Sequence, residues 1–255
     1  MKESDGLLRV LFDRVHYLDF LQSTPAKNKR DIIDRFETPR STVDRDIRKL
    51  VVNGLVERTS DGYRTTLAGR LASSEYRLQR ANLAGIQEVV QLLGPLSVNA
   101  PLSAEFLRGA RAIESTSSEP NRPITHVLEL FERSRQIRVA SPFFLRSYVK
   151  TVHDQVTNES KSTEMVLTSG VLDQLITQYE DRTTDLLDSD LFSLYEADSL
   201  PYGLYIVTTN VWVECGLVIS NDTGIKGVIH NDTSAAVRWA ESRFQSIRSQ
   251  STTRN

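Results

Sequence analysis

The chain has 255 residues, 39% hydrophobic and 25% charged, with a formal net charge of −2 and a single cysteine. That length suits two domains or one large one, and the composition is that of an ordinary soluble globular protein. No apolar run approaches the roughly 20 residues that span a bilayer, the opening MKESDGLL lacks the basic-then-apolar pattern of a signal peptide, and the lone Cys215 excludes an internal disulfide framework, so a reducing cytoplasm is expected.

Apolar spacing lays out the first elements. Gly6 to Gln22 is predicted helical, with Leu8, Leu11, Val15 and Leu18 on one side, and Thr24-Pro25 ends it. Lys29 to Phe36 is a short second helix that buries Ile32, Ile33 and Phe36. A third helix follows in TPRSTVDRDIRKLVVNGLVE, Thr38 to Glu57, where Val43, Ile47 and Leu50 form a narrow apolar stripe. Thr38 suits the cap, Pro39 the first helical position, and Asn53-Gly54 the stop. Leu55–Arg58 and Tyr63–Thr65 read as a hairpin turned at Asp61-Gly62.

A long helix is expected from Thr66 to Leu93. Ala72, Tyr76, Gln79, Leu83, Ile86, Val90 and Leu93 fall alternately four and three apart, the a/d spacing of a coiled coil. Gly94-Pro95 closes it, and a connector follows with a strand expected around Phe106–Ile113. Helices at Ile124–Arg135, Leu145–Thr157 and Leu172–Tyr179 then alternate with strands at Ile137–Ala140 and Met165–Leu167. LFSLYEA, LYIVTTN, WVECGLVIS and GIKGVIHN read as four strands of a hairpin-rich meander, and Ser234–Arg248 as a closing helix.

Charge divides along the same line. Residues 1–80 hold 16 Lys and Arg against 12 Asp and Glu, whereas residues 81–255 hold 15 against 21. A basic first third on an acidic remainder suggests one module for a polyanion and another for something else. Helix, short helix, helix and hairpin in that order describe a winged helix-turn-helix, whose third helix enters the major groove of double-stranded DNA. Arg40, Ser41, Thr42 and Arg45 are the expected base readers, since arginine can donate two bonds to guanine and hydroxyls serve several partners. Arg48 and Lys49 lie further along and suit phosphates, as do Arg58 and Arg64 on the wing. The alternative for the same face is a solvated helix with pairs such as Asp44–Arg48.

TPRSTVDRDIRKLVVNGLVERTSDGYRTTLAGR resembles the archaeal winged helix-turn-helix regulators, with their Ser-Thr-Val-x-Arg recognition helix and Y-x-x-T-x-x-G exit from the wing. Pro39 departs from the serine that many relatives carry at the helix start. The stretch LYEADSLPYGLYIVTTNVWVECGLVISNDTGIKGVIHNDTSAAVRWAESRF is similar to ligand-sensing domains of the methanogenesis-regulator type, TrmB-like in layout. The resemblance implies an α+β or α/β chain: a DNA-binding domain over 1–66, a linker and dimerisation helix over 67–94, and a sensor over 95–255 that resembles a non-catalytic phospholipase D-like fold.

Phospholipase D chemistry needs His-x-Lys, and none of His16, His126, His153 or His230 has lysine two residues on. No enzyme activity, cofactor or metal is therefore expected. The histidines are scattered, Cys215 has no zinc-spaced partner, and Asp222-Thr223-Gly224 reads as a turn rather than half an aspartic-protease dyad. For a small effector, Tyr195, Asp198, Tyr202 and Tyr205 in YEADSLPYGLY are the candidates, a Pro-Gly-bounded loop where polar tips could converge. The expected function is a homodimeric, sequence-specific transcription regulator that senses a metabolite. The alternative is a DNA-tethered scaffold whose second domain docks a protein.

Overall fold

The computed structural model describes residues 2–22, 27–143, 145–159 and 161–254. The expected break at Thr24-Pro25 lies outside the described residues. The chain divides into two compact units, Met1–Ala81 and Asn82–Asn255, and the division falls inside the long helix rather than at its ends. No helix among the described residues is long and apolar enough to cross a membrane.

In the first unit, helices α1 (Lys2–Leu21), α2 (Lys29–Phe36) and α3 (Arg40–Val52) precede a hairpin of β1 (Val56–Thr59) and β2 (Gly62–Thr65). Lys27 adds a one-residue third strand through paired bonds with Tyr63, which the sequence did not suggest. Leu18, Ile32, Val43, Ile47, Leu50 and Leu55 form one core, so the stripe read on the third helix is its buried face. Asn28 and Asp31 build a reciprocal capping box at the start of α2.

The entry to α3 differs from expectation. Pro39 occupies the cap with no side-chain bond and Arg40 is the first helical residue. Thr38 instead donates its hydroxyl to the Phe36 carbonyl at 3.0 Å. The cause lies one residue earlier: Glu37 takes a left-handed φ of 50°, which ends α2 and leaves that carbonyl open.

In the second unit an eight-stranded sheet has the order β10-β6-β5-β4-β7-β8-β9-β3. Its members are β3 (Arg111–Glu114), β4 (Gln136–Ser141), β5 (Ser162–Thr168), β6 (Phe192–Ala197), β7 (Gly203–Thr208), β8 (Val213–Asn221), β9 (Gly224–Asn231) and β10 (Thr252–Arg254). The pairs β4–β5 and β5–β6 are parallel, whereas β4–β7, β7–β8, β8–β9 and β3–β9 are antiparallel. Alternation along β7 covers both faces. Leu204 and Ile206 pack with Phe244 of α10 (Ser234–Ser249), and Tyr205 and Val207 with Val127 and Phe131 of α6 (Arg122–Glu132). A third cluster joins α7 (Arg146–Glu159), α8 (Ser169–Gln178) and α9 (Glu180–Leu187) to β5 and β6.

Three expectations change here. The strand expected at Phe106–Ile113 is a one-turn helix, α5 (Ala104–Leu107), followed by β3. Asn231 holds that turn by donating to the carbonyls of Phe106 and Arg108 at 2.6 and 3.0 Å, a distant partner that local sequence does not reveal. The meander begins at β7, because β6 lies three places away in the sheet. Helix α9 and strand β10 were not read from the sequence; Arg254 secures β10 by pairing with Glu196.

The long helix, α4 (Leu67–Leu93), does not present the expected heptad as one seam. Ala72 and Tyr76 pack into the core of the first unit, Ile86 and Leu93 against that of the second. Gln79, Leu83 and Val90 are exposed. Gly85 explains the second set of contacts, since a Cβ there would fall 2.0 Å from the Leu107 carbonyl oxygen. Alanine normally stabilises a helix interior by about 1 kcal/mol over glycine. Here the overlap is with backbone, so Gly85→Ala is expected to destabilise the second unit by ~1–3 kcal/mol. Urea unfolding followed by tryptophan fluorescence reads this, because both tryptophans, Trp212 and Trp239, lie in that unit.

Candidate functional site

On α3 the buried stripe fixes what faces outward. Arg40, Ser41, Arg45, Arg48 and Lys49 are exposed and Thr42 is half-buried. The Asp44–Arg48 pair of the alternative reading does not form. Asp44 pairs with Lys29 of α2 instead, and that bond holds its carboxyl below the usual range, with Arg40 and Arg48 nearby. Lys29 thus neutralises the one carboxylate among the outward arginines and leaves Arg48 unpaired among the described residues. Arg45 contacts Asp46 at 3.5 Å but stays 64% exposed, so its guanidinium remains available.

The wing supplies a second basic edge. Arg58 is exposed, and with Lys29, Asp44, Arg48 and Tyr63 it lines a notch between α3 and the hairpin. Arg64 stands opposite Glu57 in the register and bonds to it at 2.5 Å. Such an exposed pair is worth little, so Arg64 can exchange Glu57 for a phosphate. The structure therefore gathers the eight DNA-contact candidates on α3 and the wing, seven exposed and one half-buried.

The four effector candidates are not gathered. Tyr195 lies on β6, where Arg248 stacks over its ring at 5.4 Å. Asp198 is exposed beyond the strand end. Tyr202 donates to the Pro101 carbonyl and packs on one face of the sheet. Tyr205, three residues on, faces the other. The segment crosses from β6 to β7 past two intervening strands, so its tyrosines have no common loop in which to converge.

A different cluster forms around Tyr205. Register places Tyr205, Gly216, His230 and Arg111 in one cross-strand row. With no side chain at Gly216, where a Cβ would fall 2.3 Å from the phenol oxygen, Tyr205 lies across β8. Its hydroxyl shares a 3.1 Å hydrogen bond with Nδ1 of His230. The His230 ring meets His126 of α6 edge-on, centroids 4.9 Å apart, and its Nε2 lies 3.9 Å from Glu214. Burial lowers His230 to about 4, helped by His126 and Arg111. Burial also lowers His126 and raises Glu214. His126 Nε2 and Glu214 Oε2 are buried without a hydrogen-bond partner.

His126 also lines a polar groove with Glu119, Asn121, Arg122, Thr125 and Glu129. Sequence separation hid this cluster, since its members meet only through the register of β7, β8 and β9 and the packing of α6. Among the described residues no group of three or more His, Cys, Asp or Glu could hold a metal. Cys215 is buried, its thiol pushed up to about 12 by desolvation and donating to the Asn231 carbonyl. Asp222-Thr223 is the turn of the β8–β9 hairpin and Gly224 opens β9, with Asn221 accepting from the Thr223 amide and hydroxyl.

Residues 120–250 match the family described as methanogenesis regulatory protein FilR1, middle domain. The chain belongs to this family. Residues 3–87 match a second description, the HVO_A0261 N-terminal domain. A winged helix followed by the middle domain of the FilR1 family is the layout of a DNA-binding transcription regulator.

No curated protein matches the chain. Among solved structures it is similar to TrmBL2, an archaeal chromatin protein, at 13% identity and TM-score 0.45, covering 98% of this chain and 99% of that one. NucT from Helicobacter pylori matches at 10% identity and TM-score 0.42, covering 54% and 94%. Nuc from Salmonella typhimurium, a phospholipase D family member, matches at 14% and 0.39, covering 57% and 97%. At such scores none of the three bears on chemistry here.

Proposed function

We propose that this FilR1-family chain is a homodimeric, sequence-specific regulator of transcription whose second unit responds to a small metabolite. The observation that carries the DNA reading is the outward face of α3, where Arg40, Arg45, Arg48 and Lys49 are exposed and the intruding Asp44 is neutralised by Lys29. Arg45→Ala is expected to weaken specific binding by ~1–3 kcal/mol and to relax preference at one base pair. Lys49→Ala should weaken all sequences alike and lower the salt slope by roughly one. Titrations on matched and mismatched operators at several salt concentrations separate the two. If Arg45→Ala changed neither affinity nor preference, α3 would not be the reading element.

For the metabolite, the groove at His126 is favoured over the dispersed tyrosines. One of its lining residues, His126, has a buried Nε2 with no hydrogen-bond partner, and such an atom carries a desolvation penalty that a polar ligand relieves. Binding there regulates DNA only through different affinity for two arrangements of the protein. A thermal-shift screen of central metabolites on the parent and on His126→Ala tests it. Stabilisation of the parent alone supports the groove. Absence of any stabilised metabolite favours a DNA-tethered scaffold.

A further inference from the structure

The groove at His126 runs along one face of α6, and its charges have an order along that helix. Arg122, His126 and Glu129 fall four and three apart, so they stand in one row, with Arg122 and Glu129 about 10 Å apart along the axis. Arg122 opens the helix and Asn121 makes no side-chain bond at the cap, so the positive end of α6 adds to the guanidinium. Glu119 stands at the same end, its carbonyl accepting from the Arg122 amide at 3.3 Å. Glu119, Arg122 and Glu129 are exposed, and none makes an ion pair among the described residues. The nearby guanidiniums are engaged: Arg133 turns its Nε to the Glu129 backbone carbonyl, and Arg111 is held by Asp232 at 3.5 Å. Both ends of the row are felt at His126, where Glu129 favours the charged ring and Arg122 the neutral one. Ile113 and Pro120 supply the apolar wall.

We infer that this groove takes a basic amino acid, a molecule with an α-carboxylate, an α-ammonium and a second cation at the end of an apolar stem. Charge complementarity decides the class. A dicarboxylate or a phosphate ester would meet Arg122 but also two carboxylates. A plain diamine would satisfy Glu119 and Glu129 and set a cation beside Arg122. A neutral amino acid would fill only the end that Arg122 and Glu119 share. Lysine, ornithine or arginine answers all three charges. Its carboxylate pairs with Arg122, its α-ammonium with the neighbouring Glu119, and its distal cation with Glu129. The two α-groups share one carbon, as Arg122 and Glu119 share one end of α6. The stem lies along Ile113 and Pro120, and with the reach of the arginine and glutamate side chains it bridges the row. At about 470 Å³ the groove falls in the size range of small-molecule sites. The buried Nε2 of His126, between the two charged ends, has no protein partner.

The ligand class rests on the groove being the effector site, and calorimetric titration of the full chain separates the two failures. The probes are L-lysine, L-ornithine and L-arginine, with norleucine, which lacks the distal cation, and 1,5-diaminopentane, which lacks the carboxylate, as controls. At least one basic amino acid is expected to bind, and each control about tenfold more weakly or worse. Glu129→Gln should weaken lysine several-fold and leave norleucine unchanged. Arg122→Gln should weaken both amino acids and leave the diamine no weaker. Glu129→Arg should turn the preference from lysine toward 2-aminoadipate, a gain that loss of folding cannot produce. All three side chains are exposed, so circular dichroism should not change. A different metabolite that stabilises the parent but not His126→Ala, with no basic amino acid bound, keeps the groove and overturns the class. Basic amino acids that bind the parent and these variants alike overturn the class and the groove together, as does a chain that binds neither the probes nor any other metabolite.

Discussion

Asp46→Ala is expected to destabilise the first unit by ~3–5 kcal/mol, most of what a small domain has. Asp46 lies on the recognition helix but faces inward, and its carboxylate accepts from Nε of Arg14 on α1 at 2.8 Å. Both residues are nearly inaccessible, at 7% and 5% exposure. Removing the carboxylate leaves a guanidinium in the core with Asp13 as its one remaining acidic partner among the described residues, and Asp13 is itself close to half exposed. The buried charge, rather than the lost bond, sets the cost. Replacing both partners with apolar residues, Arg14→Met with Asp46→Leu, should therefore recover most of the loss. The first unit has no tryptophan, so the readouts separate cleanly. Helical circular dichroism should melt early in Asp46→Ala while tryptophan fluorescence keeps its parental transition. Equal stability of the single variant and the parent would mean that Arg14 finds water or another partner.

How much of this was legible in the sequence depends on how far each partner lies along the chain. Val43, Ile47 and Leu50 repeat within one helix, so the buried face of α3, and with it the outward arginines, followed from spacing alone. The inward Asp46 did not, because its partner is 32 residues away. On α4 the pattern misled for a physical reason. Two frames of four-and-three spacing coexist in the same helix, and apolar spacing does not say which faces a core and which stays open. The effector candidates are spread apart for the same reason: YEADSLPYGLY reads as a loop between neighbouring strands, yet β5 and β4 lie between the two strands that it joins. The His126–His230 cluster required knowing that β7, β8 and β9 stand in register with a glycine in the middle row.

That cluster makes the second unit acid-sensitive in a defined direction. His230 has an ordinary value near 6.5 when unfolded and about 4 when folded, because the folded site buries it beside His126 and Arg111. Between those values the unfolded chain binds the proton and the folded one does not, so stability is full above pH 6.5 and falls toward pH 4. The total loss from this residue is ~3 kcal/mol, at about 1.4 kcal/mol per unit. His126, also lowered by burial, adds to the same slope. Glu214 opposes it. Its raised value means that the folded state takes a proton before the unfolded one does, so it loses stability as pH rises through that range. The parent's slope is therefore the histidines' less that of Glu214. Tryptophan-monitored urea midpoints from pH 7 to pH 4 should show Glu214→Gln steeper than the parent and His230→Asn flatter, whatever their absolute stabilities. Parallel curves for all three proteins would mean that the imidazole of His230 is already protonated, or solvated, in the folded state.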